Sequence, residues 1–205
     1  TTPGTITFAD DGSSGTQERL EIDGATTLTG GGEVVMTSSS SRLQTRVGGL
    51  ADDELTNEDN TIRGQGTISV PLVNKGTIRA EGGTLDMDGK LDGDGTVEIA
   101  AGAELDFGGT QFKNETVLVE DGGTITWSNA QNTTIEVVNF LGDLTQTGGI
   151  YAPGASPALS LIDGDYSLSG GGSLELEFAG LRSGLFDQLT VTGNMSIFDG
   201  VLDIL

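Results

Sequence analysis

The residues with the clearest capacity to bind a ligand are the aspartates of the segment LDMDGKLDGDG, namely Asp86, Asp88, Asp92 and Asp94. Carboxylate oxygens are the ligands that Ca²⁺ prefers in proteins. The spacing of these aspartates matches neither an EF-hand loop nor the glycine-rich nonapeptide repeat that binds calcium. The segment is therefore a weak calcium candidate, and the alternative is a solvated acidic face with aspartates in its turns. We expect no other cofactor.

Paired carboxylates could also act as the acid and base of a glycosidase. The chain contains no histidine and no cysteine, and it has no GxSxG motif for a nucleophilic serine. Few basic or aromatic side chains are present to hold a sugar, and the repeat position of Trp127 favours a place in the core. The sequence therefore favours a non-enzymatic protein, with a glycan-processing β-helix enzyme as the alternative.

The acidic candidates lie within a repeat that extends over Thr61–Val138. Each row begins with a threonine and an apolar residue, and the rows follow one another in steps of 16, 19, 20 and 18 residues. The row starts are Thr61, Thr77, Thr96, Thr116 and Thr134. A second set of apolar positions, Leu85, Leu105 and Ile125, repeats every 20 residues. A constant period of this length is typical of an architecture of stacked units.

Each row contains two runs of alternating apolar and polar residues, separated by glycines. Such alternation places one set of side chains on one face of a strand, and glycine permits the turns between strands. One row cannot bury its own apolar face, but stacked rows can. We therefore predict an all-β fold, a parallel β-solenoid with about 20 residues per rung. The expected stacks are Ile78, Val97, Val117 and Ile135, and also Met87, Phe107 and Trp127.

The same alternation continues outside the repeat, so we expect residues 1–205 to form a single elongated domain. The acidic, irregular segment Gly48–Asp59 is predicted to be a loop. The prolines of YAPGASP cannot donate to a strand ladder, so any subdomain break is expected near residues 148–160. Asp94, Asn114 and Asn132 each precede a row start by two residues. They could form a corner ladder, or they could be ordinary turn residues.

The composition limits the classes of partner. With 31 acidic and 9 basic residues the net charge is −22, so nucleic acid and anionic membrane surfaces are improbable partners. No apolar run is long enough to span a bilayer. The absence of cysteine excludes a disulfide framework. We interpret the acidity as a means of keeping a large extracellular surface soluble.

Several segments carry a resemblance to a known class of repeats. They are Arg19–Met36, Leu55–Ile68 (LTNEDNTIRGQGTI), Leu72–Ala80, Gly142–Pro157, Ile162–Gly180 and Phe186–Leu205. Together they are similar to large bacterial surface proteins, the autotransporter passengers and filamentous-haemagglutinin-like adhesins. The resemblance implies a right-handed parallel β-helix that is secreted or attached to the cell surface, where it adheres, spaces or assembles. Surface glycans are a further partner that this implies, and a calcium-dependent surface-layer component is a third functional class.

Both ends of a solenoid expose unpaired backbone groups above the core unless a cap covers them. Strand-like alternation extends close to both ends of this sequence, in TTPGTITF and GVLDIL, without a recognisable polar cap. We predict an assembly interface that consists of Ile6, Phe8, Val201, Leu202, Ile204 and Leu205. The partner is expected to be another copy, in a filament of chains joined end to end, or a neighbouring domain of a larger surface protein.

Overall fold

The computed structural model describes residues 3–8, 17–49, 51–113, 115–120, 123–126, 134–136, 139–146, 150–151, 159–182 and 185–205. All 25 elements in these ranges are β-strands, so the all-β prediction is confirmed. In chain order they are β1 (Thr5–Phe8), β2 (Arg19–Ile22), β3 (Ala25–Leu28), β4 (Glu33–Met36), β5 (Arg42–Thr45), β6 (Glu54–Asn57), β7 (Thr61–Ile68), β8 (Leu72–Asn74), β9 (Thr77–Met87), β10 (Leu91–Gly93), β11 (Thr96–Ile99), β12 (Glu104–Phe107), β13 (Gln111–Lys113), β14 (Thr116–Val119), β15 (Thr124–Thr126), β16 (Thr134–Glu136), β17 (Asn139–Leu141), β18 (Leu144–Gln146), β19 (Ile150–Tyr151), β20 (Leu159–Ile162), β21 (Tyr166–Leu168), β22 (Ser173–Leu176), β23 (Gln188–Val191), β24 (Met195–Ile197) and β25 (Val201–Ile204).

The strands pair in three parallel columns. The first column is β1, β4, β7, β9, β11, β14, β17, β20 and β23. The second contains β2, β5, the later parts of β7 and β9, β12 and β15, and then β18, β21 and β24 as a separate sheet. The third is β3, β6, β8, β10, β13, β16, β19, β22 and β25. The chain visits the columns in turn, and we call each passage through the three columns a layer, from layer 1 (β1, β2, β3) to layer 9 (β23, β24, β25); in layers 3 and 4 one long strand, β7 or β9, spans the first two columns. This arrangement is compatible with a β-solenoid.

The residue steps between paired strands differ along the stack. Thr77 pairs with Thr96 and Thr96 with Thr116, which are steps of 19 and 20 residues. At the two ends the steps lengthen: Thr5 pairs with Glu33, and Ser173 pairs with Val201, 28 residues further on in each case. The strands themselves remain three or four residues long at these ends. The additional residues therefore lie in the connections, where they leave the strand pairing unchanged.

The core lies between the columns and contains the apolar half of each alternating strand. Ile78, Val97 and Val117 are register partners and are fully buried, and so are Met87 and Phe107. Their polar neighbours along the strands, which face outward, are only half buried. The predicted stacking is therefore confirmed for these residues, because removing apolar surface from water fixes which face of each strand points inward.

Two details of the predicted repeat are wrong. The partner of Val117 is Phe140, not Ile135, because β14 pairs with β17. Ile135 instead lies in the third column beside Phe112. The segment that begins at Thr134 has the local pattern of a first-column strand. However, β14 pairs with the next alternating segment, β17. The predicted loop at 48–59 also contains β6, whose Leu55 is fully buried.

The core changes character in layers 7 and 8. Tyr151 packs edge-to-face between Phe140 and Tyr166. The Tyr166 hydroxyl donates a 2.6 Å hydrogen bond to Gln146 Oε1, and Gln146 Nε2 donates to the Ser173 carbonyl oxygen at 3.2 Å. These buried polar groups therefore satisfy one another, which limits the cost of removing them from water.

The expected subdomain break lies partly outside the described residues, as do Asn114, Trp127 and Asn132. Within that segment β19 pairs with β16 on one side and β22 on the other, so the third column continues through it. Among the described residues, the exception to parallel pairing is an isolated antiparallel bridge between Phe178 and Phe186. It closes a hairpin between β22 and β23, beside the last layer.

Candidate functional site

The C-terminal layer places core-type side chains at a surface. Leu202 is 49% exposed, although its register partner Leu174 is 1% exposed. Ile197 is 44% exposed, and its partner Leu168 is fully buried. The difference arises because β25 and β24 are the outermost strands of their sheets. The inward faces of this layer are thus covered from one side only.

The predicted assembly residues at this end are all exposed, but they do not share one face. Register places Leu202 and Ile204 toward the core, whereas Val201 pairs with the half-buried Ser173 and so alternates outward. Leu205 follows Ile204 and is exposed too. Sequence reasoning missed further exposed apolar residues of the same end. They are Phe178, Leu181, Leu185, Met195, Ile197 and Phe198. The alternation in MSIF was the signal that could have revealed those of β24.

The backbone of the last layer continues a ladder of side chains at one corner. The Asp165 N–H donates to Asp143 Oδ1 at 2.8 Å, and one layer later the Asn194 N–H donates to Asp165 Oδ1 at 2.7 Å. Each acidic side chain therefore accepts a hydrogen bond from the backbone of the following layer. The sequence signal is the repeated pair Gly-Asp or Gly-Asn before β18, β21 and β24. Asn194 holds the same position in the last layer.

The N-terminal layer exposes less apolar surface than the C-terminal layer. Phe8 is 5% exposed, so of the two predicted assembly residues at this end only Ile6, at 45%, offers surface. Ile6 pairs with the buried Val34, so it occupies a core position. In β2 the inward-facing Ile22 is buried as well. The two ends of the stack therefore differ in how much apolar surface they expose.

The predicted calcium residues are divided between two columns. Asp86 lies on β9 and accepts a 3.3 Å hydrogen bond from the Thr67 hydroxyl. Asp92 lies on β10, where its carboxylate is 3.4 Å from Lys113 Nζ. Asp88 and Asp94 are exposed. Within the part of the chain that the structure describes, no group of three or more acidic residues is arranged to hold a metal ion.

Asp86 is instead brought beside an acid that the sequence did not single out. Its register partner is Asp106, on the adjacent strand of the same outer face. Burial raises the pKa of Asp86, and the charges of Asp106 and Asp88 raise it further, whereas the Thr67 hydrogen bond and Arg42 oppose these effects. This pair is the nearest approach to a paired-carboxylate site. A glycosidase would also need a groove that holds a sugar across such a pair.

A buried polar corner lies between the third and first columns. Asn57 Nδ2 donates to Asn74 Oδ1 at 2.9 Å, and Asn74 Nδ2 donates to Glu115 Oε2 at 3.0 Å. Gly93 pairs with Asn74 in the intervening layer, and a Cβ there would collide with the Asn74 carbonyl oxygen. The missing side chain is what allows Glu115 to reach across that layer. A corner ladder therefore exists through Asn57, Asn74 and Glu115. Of the predicted ladder residues, Asp94 is exposed, and Asn114 and Asn132 lie outside the described residues.

Glu115 is fully buried. Burial raises its pKa to about 8, the charges of Asp94 and Asp92 act in the same direction, and the hydrogen bond from Asn74 opposes them. Among the described residues, Glu115 Oε1 has no hydrogen-bond partner. The side chain is therefore suited to remain neutral at pH 7, as a structural element of the corner rather than a surface charge.

A row of ion pairs crosses the outer face of the first column. Arg79 contacts Glu98 and Glu120, each at 2.8 Å, and Glu81 at 3.1 Å. These carboxylates raise the pKa of Arg79. The groove beside Gly64 is lined by Arg63, which is itself paired with Glu81 at 2.6 Å. Most of the charged side chains on this face therefore form ion pairs with residues of other layers.

Among the described residues, no helix has the length and apolarity to cross a membrane. No protein-family model matches the chain, and no curated protein and no solved structure matches it significantly. The functional argument therefore depends on the geometry of the stack and its ends.

Proposed function

We propose that this chain is a non-enzymatic structural module of an extracellular bacterial surface protein, a right-handed parallel β-helix that acts as a rigid spacer or adhesive stalk. The observation that carries the proposal is the parallel pairing of the first column from β1 to β23. Nine layers, at about 4.8 Å each, correspond to a rod roughly 40 Å long. The right hand follows from the general preference of parallel crossover connections.

The side-chain chemistry supports a mechanical role. The ion pairs of Arg79, the corner ladder through Asn74 and the ladder through Asp165 each join one layer to another. A structure whose polar groups bind neighbouring layers resists bending and local opening. The net charge of −22 favours a well-solvated surface. The approximate repeat of 20 residues in the middle of the stack is what we propose as the basic turn.

Two measurements on the purified protein and one on intact cells test this proposal. Small-angle scattering should show an elongated particle. Incubation with a panel of bacterial and plant polysaccharides should release no new reducing ends. An antibody should detect the protein on intact cells of the source bacterium, where external protease should remove it. Release of sugar, or a protein that is found only inside the cell, would overturn the proposal.

If the protein does degrade a polysaccharide, matched variants show whether the Asp86–Asp106 pair is responsible. If sugar is released, Asp86→Asn and Asp106→Asn should abolish the release only when that pair is catalytic, while Asp203→Asn on the last layer serves as the control. A melting temperature that rises with added Ca²⁺ and falls with chelator would support the surface-layer alternative, since a ligand that binds only the folded state stabilises it.

A further inference from the structure

A notch interrupts the corner between the first and second columns at layer 3. Between the same two ladder positions, layer 2 uses residues 36–42 and layer 4 uses residues 80–86, which is a step of six in each case. Layer 3 uses residues 64–67, a step of three. The corners of layers 2 and 4 therefore project on either side of it and form the walls of a groove.

Glycines let the backbone of layer 3 lie at the floor of this notch. Gly64 and Gly66 have φ values of +121° and +123°, which side chains larger than hydrogen disfavour. A Cβ at Gly64 would also collide with the Met36 carbonyl oxygen, and one at Gly66 would collide with that of Ser41. The short corner is thus held directly against layer 2, and its shape depends on contacts inside the stack.

The groove presents hydrogen-bond donors and acceptors side by side. It has a volume of about 330 Å³, and its polar side chains include Arg63, Gln65 and Glu81. Arg63 Nη1 donates to Glu81 Oε1 at 2.6 Å, and Gln65 Nε2 donates to the Thr37 carbonyl oxygen at 3.2 Å. The Arg63 and Glu81 side chains remain 33% and 31% exposed. Since a guanidinium, a carboxylate and a primary amide each form several hydrogen bonds, all three can also bind a ligand.

The charges of the groove favour a neutral ligand. Arg63 is paired with Glu81 and, at 3.2 Å, with Glu33, whereas Glu81 also contacts Arg79 at 3.1 Å. An anion would have to displace these carboxylates in a protein of net charge −22, and a cation would meet the guanidinium groups. A molecule with adjacent hydroxyl groups can instead donate to Glu81 and accept from Arg63 while the ion pair persists. Pockets for small molecules begin at roughly 300 Å³, so the groove is large enough for a sugar ring.

We propose that the notch at layer 3 binds a neutral sugar residue of a glycan. Arg63 and Gln65 donate to its hydroxyl oxygens, and Glu81 accepts from its hydroxyl groups. This inference rests on the proposed function in its adhesive form and adds the class of ligand. The walls belong to two paired layers, so little ordering is required on binding. We expect a dissociation constant on the order of 1 mM for one sugar residue, because the groove is open and its contacts are few.

Saturation-transfer NMR of the whole chain with the methyl glycosides of glucose, galactose, mannose and N-acetylglucosamine tests the site. At least one of the four should bind, and binding should not weaken in high salt, because the ligand is uncharged. Inorganic sulfate should not compete. Competition by sulfate, or binding that is lost in high salt, would overturn the assignment of a neutral ligand. If none of the four binds at concentrations up to about 50 mM, the proposal is wrong.

Matched variants locate the bound sugar. Gln65→Ala should weaken binding about fivefold, and Arg63→Met about tenfold or more, because hydrogen bonds from charged groups are the stronger ones. Gln44→Ala and Arg46→Met remove the same side chains in layer 2, where they contact Glu21 and Asp23, and should bind as the wild type does. Gln65→Ala leaves the ion pairs in place, so it keeps the test valid if Arg63→Met melts early. Wild-type affinity in either folded groove variant would overturn the site.

Failure of this inference can be told apart from failure of the proposed function. A protein that binds none of the sugars still acts as a spacer if the particle is elongated and lies on the cell surface. Conversely, release of reducing ends from a polysaccharide, together with sugar binding that Gln65→Ala weakens, would overturn the non-enzymatic function and leave the binding site standing.

Discussion

In the middle of the stack, Leu105 and Phe107 alternate with acidic residues and are fully buried, whereas Leu202 and Ile204 alternate with Asp203 in the last layer and stay about half exposed. The local pattern is the same in both regions. Alternation therefore selects the face that points inward, but burial also requires a layer on each side. The last layer thus contains all three strands, but another layer packs against only one of its two sides.

The two regions also differ in their polar interactions. Eight of the nine basic residues precede residue 114, and the ion pairs of Arg63 and Arg79 cross several layers there. In the C-terminal layers the interlayer polar contacts include one inside the core, between Gln146 and Tyr166, and others at the corners, through Asp165 and between Thr192 and Asp163. The middle is held together from outside and inside, and the C-terminal part from inside and at its corners.

The largest expected effect concerns backbone spacing in the two regions. Gly64 has φ +121°, and a Cβ there would collide with the Met36 carbonyl oxygen of the adjacent layer. Gly64→Ala should therefore cost more than about 4 kcal/mol in the free energy of unfolding. Gly171, near the C-terminal end, has φ +76° with open space around it, so Gly171→Ala should cost about 1–2 kcal/mol. Urea denaturation followed by circular dichroism measures both, and equal costs would contradict the close approach at Gly64.

Truncating core side chains compares the packing directly. Phe107→Ala should lower the free energy of unfolding by about 3–5 kcal/mol, because the ring is fully buried and leaves a cavity. Ile204→Ala should cost less than about 1 kcal/mol, because most of its side chain is already in water. Asp106→Ala, on the outward side beside Phe107, is the control and should cost less than about 0.5 kcal/mol. Similar losses at Phe107 and Asp106 would show that the register is wrong by one residue.

The pH dependence should reside in the middle of the stack. Because the pKa of Glu115 is raised from 4.5 to about 8, its contribution to stability is complete below about pH 4.5 and is lost as the pH rises through about 8. The free energy of unfolding should therefore decrease across this range, by at most about 1.4 kcal/mol per pH unit from this group. Burial also raises the pKa values of Tyr151 and Tyr166, so the C-terminal core should not titrate in this window.

Glu115→Gln should remove most of that slope while keeping the hydrogen bond from Asn74. Melting temperatures of the two proteins between pH 5 and pH 9 provide the measurement. A wild-type slope that the substitution leaves unchanged would show that Glu115 is not the titrating group.

The smallest expected effect concerns the surface ion pairs. Arg79→Met should cost about 1 kcal/mol or less, because the pairs with Glu98 and Glu120 are partly exposed to water. The difference from the wild type should shrink in high salt. Arg182→Met, in the C-terminal hairpin, should have no measurable effect, since this residue forms no ion pair among the described residues. A salt-independent loss for Arg79→Met would indicate lost packing of its aliphatic stem instead.

Sequence reasoning predicted the class of the fold and the middle register well, because Leu85, Leu105 and Ile125 recur at a fixed step and have one low-energy orientation on a pleated strand. It failed where a local pattern had two possible partners. The segment that begins at Thr134 satisfies alternation in either the first or the third column, and only the competition with Asn139–Leu141 decides between them. It also missed β6, since Leu55 is a single core residue among acids.

The amino-acid sequence by itself determined the strands, their inward faces and the acidic surface, because these depend on the chemistry of neighbouring residues along the chain. The tertiary structure decided which residues meet across layers. It placed Glu115 next to Asn74, 41 residues away in sequence, through the space above Gly93. It also decided that Leu202 and Ile204 remain open while Leu174 is covered. These outcomes depend on the stacking of distant segments, and no local pattern encodes the presence or absence of a neighbouring layer.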